Sequence, residues 1–326
     1  MSVLIVVPCL NEERHLPQLL PALLAENPEA LVVVADGGST DGSRAIVADL
    51  ARTHPQLVLM DNPRRLQAAG VNLAARRHGG GGRWLVRVDA HCAYPAGYVA
   101  GLVAAAEQVG ATSVVVPMVT AGITCFQSAV AAAQNSRLGN GGSPHRNLGQ
   151  GRWVDHGHHA LFDMALFLAV GGYDESFSHN EDAELDVRLA QAGGRLWLEP
   201  SLALTYFPRR APAPLLAQYR NYGRGRARNR RRHRLRLALR QIVPLAVAPL
   251  VCLALLGLLA AGVDRRALWL AVPALAWAGL CLAYGGALAW RQRSSCVLCA
   301  GLAAMLMHLG WSFGFLEEQL WPRHPS

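Results

Sequence analysis

The chain has 326 residues, 52% of them hydrophobic, and carries a formal net charge of +9, with no lysine among its 31 basic residues. That length accommodates one soluble domain of about 200 residues plus membrane segments. The seven cysteines are scattered, which argues against a disulfide scaffold. Cys296 and Cys299 are expected to be small buried hydrophobic residues.

Predicted strands and helices alternate along the first part of the chain. The strands are predicted at Ser2–Pro8, Ala30–Ala35, Leu57–Met60, Trp84–Asp89, Ser113–Met118 and Arg195–Leu198. The helices are predicted at Glu13–Ala25, Ser43–Arg52, Arg65–Arg77, Ala96–Val109, Ala160–Val170 and Glu181–Gln191. The alternation predicts an α/β fold with a mainly parallel sheet covered on both faces. Residues 121–155 are rich in Gly, Asn and Ser and are predicted to form a long loop or lid.

The composition changes near residue 209. Twelve arginines lie between Arg209 and Arg240, and no acidic residue occurs from Pro200 through Val263. Apolar residues at helical spacing within Pro212–Leu237 predict a helix in the membrane interface, with anionic lipid headgroups as its partner. Nucleic acid is the disfavoured partner, because no DNA- or RNA-binding motif is present. We therefore expect an α/β domain over 1–208, an interface segment over 209–240 and a membrane domain over 241–326.

Three apolar runs without a charge follow, at Ile242–Ala261, Ala267–Ala289 and Cys296–Leu316. Each reaches the roughly 20 residues needed to cross a bilayer. The arginine cluster before the first run predicts that the α/β domain lies in the cytoplasm. The sequence thus predicts a multi-pass protein of the cytoplasmic (inner) membrane. Three crossings put the C-terminus outside, although Pro244, Pro249 and Pro273 leave a re-entrant segment open.

Acidic side chains follow three predicted strands, and another begins a helix. They are Glu12, Asp36, Asp89 and Asp182. Loops at the carboxyl ends of strands share one crevice in an open α/β sheet. Asp36 suits a hydrogen bond from a base or ribose, and Asp89 with His91 suits a divalent cation held against a diphosphate. Hard oxygen ligands favour Mg²⁺ or Mn²⁺, and the histidine favours Mn²⁺. Neither a phosphate loop nor a dinucleotide fingerprint is present.

This ordered set resembles glycosyltransferase family 2. The motifs are Val7-Pro8-Cys9-Leu10-Asn11-Glu12, Asp36-Gly37-Gly38-Ser39-Thr40-Asp41-Gly42, Val88-Asp89-Ala90-His91, Gly171-Gly172-Tyr173-Asp174-Glu175 and Glu181-Asp182. The Asp-Ala-His motif, together with Gly157-His158-His159-Ala160-Leu161-Phe162, is similar to the succinoglycan-biosynthesis glucosyltransferase branch. The resemblance implies a GT-A fold, a nucleotide-sugar donor and inversion at the anomeric carbon.

The resemblance also implies roles for individual residues. Pro8, Asn11 and Glu12 are expected to line the nucleotide pocket, and Asp36 is expected to contact the uracil. Asp89 and His91 occupy the metal motif, which more commonly reads Asp-x-Asp, and this departure leaves both Mn²⁺ and Mg²⁺ open as its metal. Asp182 matches the base that takes a proton from the acceptor hydroxyl.

Five further residues are candidates for the acceptor or a diphosphate, each with a structural alternative. They are His158, His159, Glu181, Arg220 and Arg224. Either histidine also suits a structural role, and Glu181 also suits the first turn of a helix. The two arginines fall where processive members carry Gln-x-x-Arg-Trp. No Trp is present, which argues against a processive synthase and leaves lipid headgroups as alternative partners.

The favoured function is transfer of a hexose, glucose from UDP-glucose, to a polyprenyl-diphosphate-linked oligosaccharide in exopolysaccharide synthesis. A polyprenyl-phosphate glycosyltransferase, whose acceptor is the lipid phosphate, is the alternative. A membrane protein that binds a nucleotide sugar without turning it over is a third. A transporter is disfavoured because the apolar runs contain no acidic residue.

Overall fold

A computed structural model describes residues 3–143 and 148–322 of the chain. Ser2, where the first predicted strand begins, and residues 144–147 of the predicted loop lie outside these ranges. The chain forms two compact units. The first comprises Met1–Val119 and Asn147–Tyr206, and the second comprises Thr120–Arg146 and Phe207–Ser326.

The strands are short and fall mainly in the first unit. They are β1 (Val3–Cys9), β2 (Leu31–Asp36), β3 (Leu57–Asp61), β4 (Trp84–Arg87), β5 (Ser113–Val116), β6 (Met118–Thr120), β7 (Arg152–Val154), β8 (His158–Asp163), β9 (Leu196–Leu198) and β10 (Leu204–Tyr206).

The helices lengthen towards the C-terminus. They are α1 (Leu16–Glu26), α2 (Ser43–Ala51), α3 (Gln67–His78), α4 (Tyr98–Val109), α5 (Cys125–Gln134), α6 (Arg137–Asn140), α7 (Met164–Ala169), α8 (Glu181–Gln191), α9 (Pro212–His233), α10 (Leu239–Ile242), α11 (Val247–Ala260), α12 (Val272–Gln292) and α13 (Ala300–Leu320). Short 3₁₀ turns precede α11, α12 and α13, at Val243–Ala246, Arg265–Ala271 and Ser295–Cys299.

The main sheet of the first unit has eight strands in the order β3-β2-β1-β4-β8-β5-β9-β7. The strands from β3 to β4 are parallel, whereas β8 runs antiparallel to both of its neighbours. In β1, Leu4 and Val6 pack on one face and Ile5 and Val7 on the other. A continuous apolar run is what a strand covered on both sides requires. The carboxyl ends of β2, β1 and β4 consequently lie side by side.

This sheet confirms the predicted α/β fold, and two local predictions are wrong. The apolar run Ala160–Val170 was expected to be one helix, but it enters strand β8 and becomes helical only at Met164. A short apolar run does not distinguish a buried strand from a buried helix by its periodicity. The loop expected over residues 121–155 contains α5, whose first turn is closed by a capping box between Thr124 and Gln127.

The second unit is helical. Three of its described helical segments, Leu239–Ala260, Arg265–Gln292 and Ser295–Leu320, are long and apolar enough to cross a membrane. A core of small residues joins α5, α12 and α13, with Val130, Ala133, Ala300 and Ala304 at its centre.

Two cysteines of the second unit differ from the sequence-based expectation. Cys296 forms a disulfide with Cys125, 171 residues earlier in the chain. Cys299 is exposed, so it is not a buried hydrophobic residue. The pairing was not predictable from the spacing, because the partners meet only when α5 packs against the start of α13.

Candidate active site

The loop after β2 is organised by Asp36. Its carboxylate accepts hydrogen bonds from the backbone N–H groups of Gly38 and Ser39, and from Arg44 Nη1 at 2.6 Å. Burial alone would raise the pKa of Asp36, but the hydrogen bonds from Ser39 and Arg44 bring it below its usual value. The side chain is therefore an ionised centre around which the Gly-Gly-Ser loop folds.

The loop after β1 is tied to the loop after β2. Asn11 adopts a left-handed conformation, with φ of 58°. Its backbone N–H donates to Ser39 Oγ at 2.9 Å, and its side-chain oxygen accepts from the backbone N–H of Thr40 at 2.8 Å. Pro8 lies in β1 opposite Ala35 of β2. The residues expected to line a nucleotide pocket are thus held together by their own hydrogen bonds.

Glu12 connects this loop to the metal motif. Its backbone N–H donates to Ser43 Oγ at 2.8 Å. One carboxylate oxygen lies 2.6 Å from His15 Nδ1, and the other lies 3.1 Å from His91 Nδ1. Burial would raise the pKa of Glu12, but the hydrogen bonds from His91 and His15 lower it on balance. The carboxylate is therefore an acceptor for both imidazoles.

Arg87, the last residue of β4, joins the metal motif to the expected base. Its side chain is only 4% exposed. Nε donates to Asp89 Oδ1 at 3.0 Å, and Nη1 donates to Asp182 Oδ1 at 2.9 Å. Gln67 Nε2 donates to the same oxygen of Asp89 at 2.7 Å. Asp89 and Asp182, 93 residues apart in sequence, consequently share one guanidinium group.

Arg87 and Asp89 stabilise each other's charged forms. Burial would raise the pKa of Asp89, but Arg87 and His158 lower it to about 2. Burial would lower the pKa of Arg87, yet the facing carboxylates, Asp89 and Asp182 first, raise it well above its usual value. Both partners are thus charged at neutral pH.

His158 lies between the two carboxylates. Its Nε2 is 3.6 Å from Asp89 Oδ2, and its Nδ1 is 3.7 Å from Asp182 Oδ2. Burial lowers the pKa of His158 more than the carboxylates raise it. A largely neutral imidazole therefore lies within 4 Å of both carboxylates.

Glu181 and Tyr173 complete the surroundings of Asp182. The hydroxyl of Tyr173 donates to Asp182 Oδ1 at 3.0 Å and accepts from Arg87 Nη1 at 3.1 Å. Burial, followed by the neighbouring charge of Asp182, raises the pKa of Glu181 to about 7. Of the two adjacent carboxyl groups, Asp182 is therefore the one held by both the guanidinium of Arg87 and the phenol of Tyr173.

A glycine turn sets the position of Tyr173. Gly172 has a φ of +71°, and a Cβ there would collide with the side-chain oxygen of Asn72. That oxygen accepts from the backbone N–H of Tyr173 at 2.8 Å. Arg188 of α8 donates to the carbonyl of Gly172 at 2.6 Å and pairs with the fully buried Glu184. The turn and the helix that carries Asp182 are thereby fastened to each other.

The residues present fit a divalent cation at the metal motif. Asp89 offers a carboxylate, and His91 offers an imidazole two residues later. A metal-binding histidine normally donates its second ring N–H to a carboxylate, which is how Glu12 meets His91 Nδ1. Within residues 3–143 and 148–322, no group of three His, Cys, Asp or Glu side chains is arranged to hold a metal ion. Asp89 and His91 would supply two of the ligands that such a cation needs.

Three predicted residues have their contact partners outside this cluster. His159 is fully buried, where its Nε2 contacts Asp186 and its Nδ1 lies 3.2 Å from Ser113 Oγ. Arg220 and Arg224 belong to the second unit, where both guanidinium groups bind Glu317. The cluster of the first unit thus contains Asp89, His158, Glu181 and Asp182 of the predicted set.

Arg87 and Tyr173 were missed as site residues. The sequence carried a signal for each. An arginine inside the otherwise apolar strand Trp84–Arg87 is unusual, because a buried charge needs a buried partner. Tyr173 stands in the Gly-Gly-Tyr-Asp-Glu motif, but the motif alone does not reveal that its hydroxyl reaches Asp182.

Comparison with known proteins identifies related chains. Residues 4–171 match the model of the family described as "Glycosyl transferase family 2". The succinoglycan biosynthesis protein ExoA of Rhizobium meliloti (strain 1021) is 51% identical over 324 residues, which is 98% of this chain and 95% of that protein.

Solved structures with the same fold share less sequence. The mannosyltransferase PcManGT from Pyrobaculum calidifontis, in complex with GDP-Man and Mn²⁺, has a TM-score of 0.56 and 22% identity, covering 99% of this chain and 88% of that one. Residues 1–349 of S. aureus TarS have a TM-score of 0.50 and 14% identity, covering 98% of this chain and 92% of that one. At these identities the likeness establishes the fold.

Proposed function

Because this chain belongs to glycosyl transferase family 2 and is a glycosyltransferase with a GT-A fold, we propose that it transfers glucose from UDP-glucose, with inversion, to a polyprenyl-diphosphate-linked oligosaccharide. The reaction would serve exopolysaccharide synthesis at the cytoplasmic face of the inner membrane. The relative named for succinoglycan biosynthesis supports the pathway, and the three apolar helical segments support the location.

One observation carries the proposed chemistry. A single buried guanidinium, that of Arg87, contacts both Asp89 of the metal motif and Asp182. A donor diphosphate held at Asp89 would therefore lie next to the base that activates the acceptor. In an inverting transfer the acceptor oxygen attacks the anomeric carbon from the face opposite the leaving nucleotide, so base and diphosphate must flank one sugar.

Individual residues of the chain have separate roles in the proposed transfer. Asp182 accepts the proton of the acceptor hydroxyl at a carboxylate oxygen, while Arg87 and Tyr173 hold the other oxygen in place. Asn11 and Glu12 position the nucleotide side of the crevice, together with Asp36. Asp89 and His91 would hold Mn²⁺ or Mg²⁺, which when bound would offset the charge of the leaving diphosphate.

An aspartate-to-asparagine exchange tests the role of Asp182. Asp182→Asn should lower transfer about 10²–10⁴-fold, because a positioned base supplies that much, and should leave UDP affinity unchanged. Asp163→Asn is the matched control. Asp163 caps α7 at the opposite end of the sheet, and asparagine caps a helix equally well.

The measurement is transfer of labelled glucose to lipid-linked acceptors, with products separated by thin-layer chromatography. Normal turnover by Asp182→Asn would refute the role of Asp182 as the base. If product forms only with polyprenyl phosphate, the acceptor is the lipid phosphate and not the lipid-linked oligosaccharide. If the protein binds UDP but releases no UDP from UDP-glucose in any lipid extract, it is a non-catalytic nucleotide-sugar-binding protein.

A further inference from the structure

The third apolar segment, Ser295–Leu320, differs from the other two in how much protein covers it. Its most apolar stretch is 44% buried, compared with 17% and 11% for the equivalent stretches of the first and second segments. A helix that faces lipid leaves its apolar side chains exposed in the protein, as the first two segments do. The third segment is therefore packed against protein more extensively than the other two.

The cover over its C-terminal half is the basic helix α9. Backbone approaches at three glycines bring the two helices together. A Cβ on Gly314 would collide with the carbonyl of Arg220, one on Gly223 with the carbonyl of Trp311, and one on Gly310 would lie 2.7 Å from the carbonyl oxygen of Leu216. Residue numbers increase in the same direction along α9 and α13 at these contacts, so the two helices run parallel in close contact.

Ion pairs continue this contact to the end of α13. Glu317 accepts hydrogen bonds from Arg220 Nε at 2.8 Å and from Arg224 Nε at 3.0 Å. Glu318, only 3% exposed, accepts from Arg231 Nη2 at 2.7 Å. The last turns of α13 are therefore held by the arginines of α9.

This contact determines where α13 lies relative to a bilayer. Helix α9 contains seven arginines, and arginine is strongly disfavoured in the hydrocarbon region. Since α9 belongs at the interface, residues 310–320 of α13 belong there too. The remaining part, residues 295–309, extends about 25 Å at helical rises, which is short of the roughly 30 Å hydrocarbon core.

We propose that the membrane-facing surface of this unit is the hairpin of α11 and α12, which crosses the bilayer twice, and that α13 does not cross. The exposed apolar side chains of the hairpin include Leu255, Leu256, Leu259, Leu275 and Leu280. The partner is the acyl-chain region of a lipid bilayer. With two crossings, the C-terminal end returns to the side of α9, contrary to the outside location that three crossings imply.

This inference rests on the proposed membrane attachment and is independent of the proposed reaction. Single cysteines at two exposed positions test it in the full-length protein. Val263, in the turn between α11 and the next 3₁₀ turn, is 96% exposed, and Trp321, after α13, is 71% exposed. Val263→Cys and Trp321→Cys are compared with the parent protein in right-side-out membrane vesicles, using a membrane-impermeant maleimide before and after permeabilisation.

We expect Val263→Cys to label fully in sealed vesicles and Trp321→Cys to stay at the parent background until the vesicles are permeabilised. Labelling of Trp321→Cys in sealed vesicles overturns the proposal. Absence of labelling of Val263→Cys in sealed vesicles overturns the two crossings. Glucose transfer by the same vesicles after permeabilisation is a separate readout, so a failure of the proposed function is recognised independently.

Discussion

Replacing Arg87 with methionine removes a buried cation and leaves two carboxylates without their shared partner. Arg87 donates charge-assisted hydrogen bonds to Asp89 at 3.0 Å and to Asp182 at 2.9 Å, and its side chain is 4% exposed. Breaking a buried ion pair by removing one partner costs about 3–5 kcal/mol. For a unit of this size the loss corresponds to a fall in Tm of about 6–20 °C.

The matched control is Arg83→Met, close to Arg87 in the chain. Arg83 is 57% exposed and pairs with Glu107 at 3.4 Å. An exposed pair contributes about 0–1 kcal/mol, so Arg83→Met should melt near the parent temperature. Intrinsic tryptophan fluorescence of the purified protein in detergent gives the melting curves.

A second substitution separates charge from packing. Asp182→Asn in the Arg87→Met background removes one of the two unpaired charges, so it should recover part of the lost stability. If Arg87→Met melts as Arg83→Met does, the reasoning that one guanidinium compensates two buried carboxylates is refuted.

Three other substitutions test separate parts of the site. Burial raises the pKa of Glu181 to about 7 against 4.5 for the ordinary group, so the free energy of unfolding should fall by about 3 kcal/mol as the pH rises between these values. Glu181→Gln should make the melting temperature less dependent on pH in this range, and an unchanged dependence contradicts the assignment. Gly172→Ala should destabilise more than Gly171→Ala, because both have positive φ but only the first collides with Asn72; equal melting temperatures would show that the collision is relieved. Glu12→Gln should weaken Mn²⁺ affinity about 10–100-fold, measured by calorimetry with UDP present, and an unaltered affinity would exclude the carboxylate as a support for its histidine.

Strand ends were the part of the fold that sequence patterns predicted well. The apolar run before Glu12 forms β1, and the Val-rich run before Asp36 forms β2. A continuous apolar run is typical of a strand that is covered on both faces of a sheet. The antiparallel strand β8 was not predictable. Its Ala160–Phe162 run is equally compatible with a buried helix, and only pairing with β4 and β5 decides the conformation.

The electrostatic connections of the site were beyond the sequence patterns. The motifs supplied Asp89 and Asp182 as separate carboxylates, but Arg87 reaches Asp182 across 95 residues of chain. The same limit applied in the second unit, where Arg220 finds Glu317 97 residues later. Charge patterns report which groups need partners, whereas tertiary packing chooses them.

The bond between Arg188 and the carbonyl of Gly172 has a consequence for engineering by segment exchange between relatives. A graft of α8 by itself would import Asp182 but lose the matching glycine turn, so the tyrosine beside the carboxylate would shift. Residues 170–188 should be exchanged as one cassette. Tyr173 and the carboxylate of Asp182 would then keep their hydrogen bond.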